Sequence, residues 1–410
     1  MSSSQVEYEE YLILSAIAEG YSELIKIAHA CGGMYPTELL NKLQVLESKK
    51  LISKQENGHY FIEKNYRVQL EELDVSHFSS LLSNLPLPHP HDYDWRFTQE
   101  TARNLAESLF NRNTLNEPVI LLGAPSVFLN YLKIDNTNHV ILLDQNQELL
   151  EYLSAASLPH NAELKYHTIL SSEVWIPNVS VGMVFCDPPW YPEHYNAFMI
   201  QAASITKIGS QIILAFPPIN TRPGICVDRW SILKTANELG LHIEEITPHV
   251  LTYETPTFET VSLKHEGLDT SFNWRPGDLV HFRKINNIKI QTVDDRLTSQ
   301  SDFESEGTWD AILIGRYKIK IRRFSNKANE FPELISIESD DILPTVSRRY
   351  EGRGKIDLWL WDNRVFALKN SEAFWAALHI IANKSMPQEL STINQEFVET
   401  ALHLLKKIIT

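Results

Sequence analysis

From about residue 7 to residue 68 the apolar positions fall at helical spacing: Leu12, Ile13 and Ile17, then Leu24, Ile27 and Ala28, then Leu39, Leu40, Leu43 and Leu46, broken at Gly20 and Gly32-Gly33. Lys50 to Ile62 then alternates in two short runs about Asn57-Gly58, a dipeptide whose ease at positive φ favours a hairpin. Three helices and a hairpin are predicted over residues 1–70. Pro86, Pro88 and Pro90, interspersed with His89 and His91, make residues 71–97 a linker packed on a neighbour. Two histidines with no third ligand in view predict no metal site there.

At Thr98 the period changes. Thr98 and Thr101 open a helix that leads into the buried strand Pro118 to Gly123. A turn and helix over Ala124 to Leu132 precede a second strand, His139 to Asp144. A third strand is expected near Lys165 to Ile169, a fourth ends in Val181, Met183, Val184 and Phe185, and a fifth covers Gln211 to Phe216. After a helix at Arg229 to Leu239, the runs Leu241 to Tyr253 and Asp278 to Ile285 predict an antiparallel hairpin. Its insertion, Tyr253 to Glu259, reads as a plain hairpin loop, with a lining for an acceptor site as the other reading. Strands alternating with helices predict an α/β domain over residues 98–290. A polar stretch makes residues 291–308 a linker, and residues 309–410 read as an α+β domain whose last elements, Ser371 to Thr410, are two helices.

Composition narrows this picture. The 410 residues are 43% hydrophobic, enough for sizeable cores, and no apolar run reaches the ~18 residues of a membrane span. A formal charge of −15 excludes a protein that coats nucleic acid over its whole surface, so any such contact falls to local basic patches. The candidates are Lys318, Lys320, Arg322 and Arg323 on one alternating run, and Arg348, Arg349 and Arg353 beside glycines, since arginine forks pair bidentately with phosphate. The other reading of these islands is a strand edge guarded by cations. Cys31, Cys186 and Cys226 lie far apart without ligand spacing, and the N-terminus lacks a basic segment with a cleavage site. A soluble protein of a reducing cytoplasm is expected.

The chemistry concentrates where the fourth strand breaks into Asp187-Pro188-Pro189-Trp190. Two prolines cannot continue a ladder and fix φ, so the Asp187 carboxylate and the Pro188 carbonyl are held as converging acceptors. Such a pair suits a substrate amino group, and Trp190 or Tyr191 offers a flat face for a planar base. Pro217 and Asn220, after the fifth strand, wall the same sheet edge. Strand, glycine turn, helix, strand, acid is the order of a nucleotide site, so Gly123 and Asp144 are cofactor candidates, the acid accepting ribose hydroxyls.

The tetrapeptide resembles motif IV of the class I amino-methyltransferases that use S-adenosylmethionine (SAM), and its spelling is most similar to the N6-adenine enzymes. The turn Gly123-Ala124-Pro125-Ser126 with the following helix is similar to a branch of N6-adenine-methyltransferase-like proteins that includes elongation-factor lysine methyltransferases and a zinc-knuckle ribosomal-RNA adenine methyltransferase. Both likenesses lie within residues 118–216. They imply a Rossmann-like class I methyltransferase sheet, SAM as cofactor beside Gly123, Ala124, Pro125, Ser126 and Asp144, and catalysis at Asp187, Pro188, Pro189 and Trp190. A helix N-terminus facing the loop attracts the methionyl carboxylate. The acceptor implied is adenine or a lysine amine.

The N-terminal three helices and hairpin resemble a winged helix-turn-helix. Its recognition-helix candidate, Pro36 to Lys50, sets Lys42, Lys49 and Lys50 against Glu38 and Glu47 and holds no arginine, which favours dimerisation or partner docking over DNA. The C-terminal helices are a second docking candidate. The domain order also resembles the branched-polyamine aminopropyltransferases, which would use decarboxylated SAM, but Gly123-Ala124-Pro125-Ser126 stands where those proteins carry an acidic turn. A third alternative is a methyltransferase fold without activity, used as a scaffold, which the single-glycine turn suggests and the intact Asp187 motif opposes.

Overall fold

The computed structural model describes residues 10, 13, 14, 16, 17, 20–31, 36–62, 81–113, 117–134, 137–171, 173–219, 221, 222, 224–268, 273, 275–287, 308–323, 330–347 and 350–409. The chain forms two units: Met1–Leu82 with Phe97–Thr252 and Pro276–Thr298, and Ser83–Arg96 with Tyr253–Arg275 and Ser299–Thr410. Two stretches expected as a linker and a hairpin loop thus contribute to the second unit.

In the first unit α1 (Leu24–Ala30), α2 (Pro36–Ser48), β1 (Ile52–Lys54) and β2 (Tyr60–Ile62) follow the predicted order. Their core joins Ile13, Ile17, Ile27, Leu39, Leu43 and Leu46 with Ile52 and Tyr60. Gly58, at φ 84°, turns the hairpin within a loop over Gln55–His59.

Helix α3 (Gln99–Arg112) starts where Thr98 accepts a hydrogen bond from the Thr101 N–H at 3.3 Å. Then come β3 (Val119–Leu122), α4 (Pro125–Ile134), β4 (Val140–Asp144), α5 (Gln147–Ser154), β5 (Ala162–Tyr166), β6 (Val181–Cys186), α6 (Pro192–Ile205), β7 (Thr206–Phe216), α7 (Ile225–Glu238), β8 (Leu241–Tyr253) and β9 (Arg275–Lys284). The seven strands lie in the order β5-β4-β3-β6-β7-β9-β8. β5, β4, β3, β6 and β7 run parallel and β9 returns antiparallel against β7, so the sheet is Rossmann-like, as the methyltransferase likeness implied, and ends in the strand pair predicted from the two runs. β3, β4 and β6 are buried at every position, which is why their sequences are apolar runs without alternation. On one face Ile120, Ile141, Val184, Ile212 and Val280 pack against Tyr195, Met199 and Ile200 of α6 and Ile232 of α7.

Several boundaries differ from the sequence reading, among them α7, which starts at Ile225 rather than Arg229, and β9, which covers Arg275–Lys284 rather than Asp278 to Ile285. β5 covers 162–166 rather than 165–169, because Ala162 to Tyr166 pairs with Val140 to Asp144 and the chain leaves the sheet before Ile169. β7 begins at Thr206, its early segment shifted in register against β6 between Val181 and Met183. Residues expected as a plain loop enter a helix, Thr257–His265, assigned to the second unit.

That unit holds an antiparallel sheet of β10 (Thr308–Ile314), β11 (Tyr317–Arg323), β12 (Glu333–Ser336), β13 (Leu358–Leu360) and β14 (Val365–Lys369), ordered β10-β11-β13-β14-β12. Ile319, Ile321, Leu358 and Leu360 meet Phe374 and Leu378 of α8 (Ser371–Ile381) and Val398 and Leu405 of α9 (Gln395–Ile409). The alternate residues of β11, the expected cationic island, are Lys318, Lys320 and Arg322. Lys318 and Arg322 are 1% and 2% exposed. Lys318 reaches Asp92 at 2.9 Å, Lys320 pairs with the same carboxylate, and Arg322 binds Asp357 at 2.9 Å. Burial works against ionised Asp92, yet Lys320 and Lys318 hold its carboxyl well below the ordinary range. Both readings of this island as exposed cations are therefore corrected: internal carboxylates neutralise the row.

Candidate functional site

Pairing registers build the site. Leu122 of β3 is level with Leu143 of β4 and with Cys186 of β6, so the next residues, Gly123, Asp144 and Asp187, stand in one row at the carboxyl edge of three adjacent strands. Strand spacing of ~4.8 Å puts Asp144 and Asp187 two spacings apart, with Gly123 between them. In open α/β sheets this edge is where ligands bind.

Backbone bonds lock the row. Gly123 N–H donates to the Leu143 carbonyl and Asp187 N–H to the Leu122 carbonyl, each at 3.0 Å. Gly123 has φ 66°, and a Cβ there would lie 3.2 Å from the Asp187 carbonyl oxygen and 3.4 Å from the Phe198 ring. The positive φ favours glycine, and a Cβ would press on the Asp187 carbonyl so that one of the two must shift by a few tenths of an ångström. Ala124 and Ser126 are buried, and Pro125 opens α4, whose missing N–H costs nothing at that position. Asn130 donates to the Ser126 carbonyl at 2.8 Å.

Asp144 is 9% exposed and its Oδ1 accepts the Asn146 N–H at 2.8 Å. The Asn146 side chain caps α5 by accepting the Leu149 N–H at 3.2 Å, so the acid and the next helix start are braced together.

Past β6, Pro188 is buried and Asp187, Pro189, Trp190 and Tyr191 are half-buried. Tyr191 N–H donates to the Pro189 carbonyl at 2.7 Å, and α6 starts at once with Pro192. Beneath this loop the Tyr195 hydroxyl donates to the Ala215 carbonyl at 3.1 Å. Burial first, then the charge of Asp187, pushes the phenol of Tyr195 well above its ordinary range. The same two causes push the Cys186 thiol up, so neither group is a nucleophile at neutral pH.

Sequence reasoning missed two arginines. Arg222 donates to the Trp190 carbonyl at 2.7 Å, pairs with Asp228 at 2.6 Å, and lies 5.8 Å from the Tyr191 ring centroid. Arg229 donates to the Pro217 carbonyl, pairs with Asp278 at 2.6 Å and lies 4.5 Å from the Phe216 ring centroid. Pro217, an expected wall residue, is thereby fixed through its main chain.

Gly123, Asp144, the Asp187 to Tyr191 loop and Pro217 therefore share one sheet edge. Asn220, Arg348 and Arg349 lie outside the described residues. Arg353 is corrected as a phosphate ligand. It is 2% exposed, donates to the Val346 carbonyl at 3.0 Å and the Tyr93 hydroxyl at 3.2 Å, and stacks 4.7 Å from the Trp359 ring centroid.

Residues 94–253 match the model of a family described as probable N6-adenine methyltransferase, a span that takes in every strand from β3 to β8. No curated protein matches the chain. Among solved structures it is similar to the branched-chain polyamine synthase of Thermus thermophilus in complex with N4-aminopropylspermidine and 5'-methylthioadenosine, at 12% identity and TM-score 0.43, over 69% of this chain and 89% of that one. It is also similar to the glycopeptide N-methyltransferase MtfA complexed with sinefungin, at 10% identity and TM-score 0.32, over 45% of this chain and 87% of that one.

Proposed function

We propose that the protein is a SAM-dependent N-methyltransferase acting on the exocyclic amine of adenine in nucleic acid. The observation that carries this reading is the row of Gly123, Asp144 and Asp187 on adjacent strands. Gly123 lets the turn pass close against Asp187, and the Asp144 carboxylate at the same sheet edge is an acceptor suited to a ribose diol, so these residues fit the cofactor. Gly123 to Ser126 and Asp144 would hold it, and it supplies an electrophilic methyl group.

The chain's own part is positioning. The Asp187 carboxylate and Pro188 carbonyl accept the two amine hydrogens, which turns the nitrogen lone pair away from both. Trp190 or Tyr191 stacks on the base and excludes water. Orientation of this kind accounts for most of what an in-line displacement needs, with no strong base required before transfer, the amine proton being lost to solvent after it. Access to an adenine amine requires single-stranded or flipped substrate.

The test is calorimetric titration with SAM, decarboxylated SAM and S-adenosylhomocysteine, on the parent chain, Asp144→Ala and Asp187→Ala, with methyl transfer to adenine-containing oligonucleotides. SAM binding lost in Asp144→Ala and kept in Asp187→Ala, with transfer lost in both, is expected. Preference for decarboxylated SAM moves the assignment to aminopropyl transfer, and binding of none of the three leaves a scaffold. A second reading, a protein lysine acceptor, is favoured by the internal pairing of Lys318, Lys320, Arg322, Arg323 and Arg353, which engages the described candidates for phosphate binding. Transfer to protein and not to oligonucleotide selects it.

A further inference from the structure

The segment around the start of α7 ties two loops of the sheet edge by one repeated device. Arg222 joins the Trp190 carbonyl to the Asp228 carboxylate, and Arg229 joins the Pro217 carbonyl to the Asp278 carboxylate. Arg222 holds the Trp190 carbonyl through Nη2 while its Nη1 lies in an ion pair with Asp228, and Arg229 meets both the Pro217 carbonyl and Asp278 through Nη1. Arg229 secures the loop after β7 to the sheet itself, since Asp278 lies in β9 level with Phe216 of β7. Arg222 secures the loop after β6, the one that bears Asp187.

Pro188 and Pro189 stiffen that loop on its upstream side and Pro192 starts α6 on its downstream side. Trp190 and Tyr191 lie between these fixed points. We propose that Arg222 is a positioning residue for the acceptor: through the Trp190 carbonyl it sets the orientation of the Trp190-Tyr191 pair, and so the plane on which the acceptor lies, without touching the reacting atoms. This inference rests on the reading of the Asp187 loop as the acceptor clamp. It predicts a defect in acceptor alignment that leaves cofactor binding intact, because Gly123 and Asp144 are held by other bonds.

The experiment uses the full chain labelled with 5-fluorotryptophan and followed by fluorine NMR, the Trp190 resonance being the one that disappears in Trp190→Phe. In Arg222→Met the Trp190 resonance is expected to shift or broaden away while the other tryptophan resonances, which report folding, stay in place. Calorimetric SAM affinity is expected to stay within about twofold, and kcat for methyl transfer to a single-stranded adenine oligonucleotide to fall roughly 100-fold, the order of loss that a small misplacement brings. Arg222→Lys is expected to restore part of the rate, and Asp228→Asn to move the resonance in the same sense. An unchanged Trp190 resonance and rate in Arg222→Met overturns the proposal, as does a loss of SAM affinity equal to the loss of rate. If the parent chain transfers no methyl to the oligonucleotide while the resonance still collapses in Arg222→Met, the positioning role stands and the adenine reading falls.

Discussion

Gly123 and Asp187 meet main chain to main chain: a Cβ on Gly123 would stand 3.2 Å from the Asp187 carbonyl oxygen. One atom therefore separates the turn proposed for the cofactor from the loop proposed for the acceptor. Gly123→Ala adds that atom at φ 66°, where a non-glycine residue costs about 1–2 kcal/mol. The strained variant must either flatten its turn or push Asp187 away. Thermal unfolding is expected a few degrees lower, with a loss of transfer larger than the loss of stability explains. A variant that keeps the parent rate removes the idea that the two loops share a tight contact.

Asp144 should act on binding alone. Its Oδ1 is engaged by the Asn146 N–H, and a carboxylate accepting ribose hydroxyls contributes ~1.5–3 kcal/mol, or about one to two orders of magnitude in affinity. Asp144→Asn keeps an oxygen for Asn146 and loses the charge. SAM affinity in calorimetry is expected to fall by about tenfold or more, with the far-ultraviolet circular dichroism unchanged.

Much of this site was legible because its strands are buried on both faces. β3, β6 and all of β4 before its last residue had to be apolar, so the first polar residues reached, Asp144 at the end of β4 and Asp187 just past β6, stood out as strand ends. β5 was misplaced by three residues for the opposite reason: it lies at the edge of the sheet, and Ala162 to Tyr166 has no wholly buried position to mark its start. Arg222 and Arg229 left no trace because their targets are main-chain carbonyls, which look alike in every sequence. The alternation of Lys318, Lys320 and Arg322 correctly put them on one face, but the carboxylate that shares two of them, Asp92, lies more than two hundred residues upstream.

The Arg229 and Asp278 pair should contribute to stability. Asp278 is 3% exposed, receives Arg229 at 2.6 Å and also accepts the His249 N–H at 2.9 Å, where the β8 backbone sits at φ 56°. Removing one member of a buried pair costs roughly 3–5 kcal/mol. Asp278→Ala is expected to lose about that much in urea unfolding. Asp278→Asn, which can still accept from His249, should lose less. A loss confined to Asp278→Ala, with Asp278→Asn as stable as the parent, would assign the effect to the His249 bond instead.

Acid should destabilise both units through neutral buried histidines. Burial, then Arg112, holds the His281 imidazole down to about 4 from 6.5, with Glu245 opposing and Arg283 adding. The unfolded chain binds this proton below about pH 6.5 and the folded chain does not until about 4, so stability falls as pH drops through that window and levels off beneath it. A shift of that size corresponds to about 3 kcal/mol. His89, buried in the second unit, is held down by the same desolvation. Urea midpoints should therefore fall between about pH 7 and pH 4.5, and His281→Gln should flatten the transition of the first unit.

Arg353 separates a structural cation from a nucleic-acid ligand. Its guanidinium sits on Trp359, donates to Tyr93 and to the Val346 carbonyl, and is 2% exposed, so it has no face to offer a phosphate. Arg353→Ala removes the stacking and leaves the Val346 carbonyl without this donor, a combination expected to cost about 2 kcal/mol or more. Removing a cation that neutralises a phosphate would lower the salt slope of oligonucleotide binding by about one. The prediction is a lower unfolding midpoint for the second unit together with an unchanged salt slope. A reduced slope at unchanged stability would mean that the side chain swings out to meet the nucleic acid, and would return Arg353 to the substrate site.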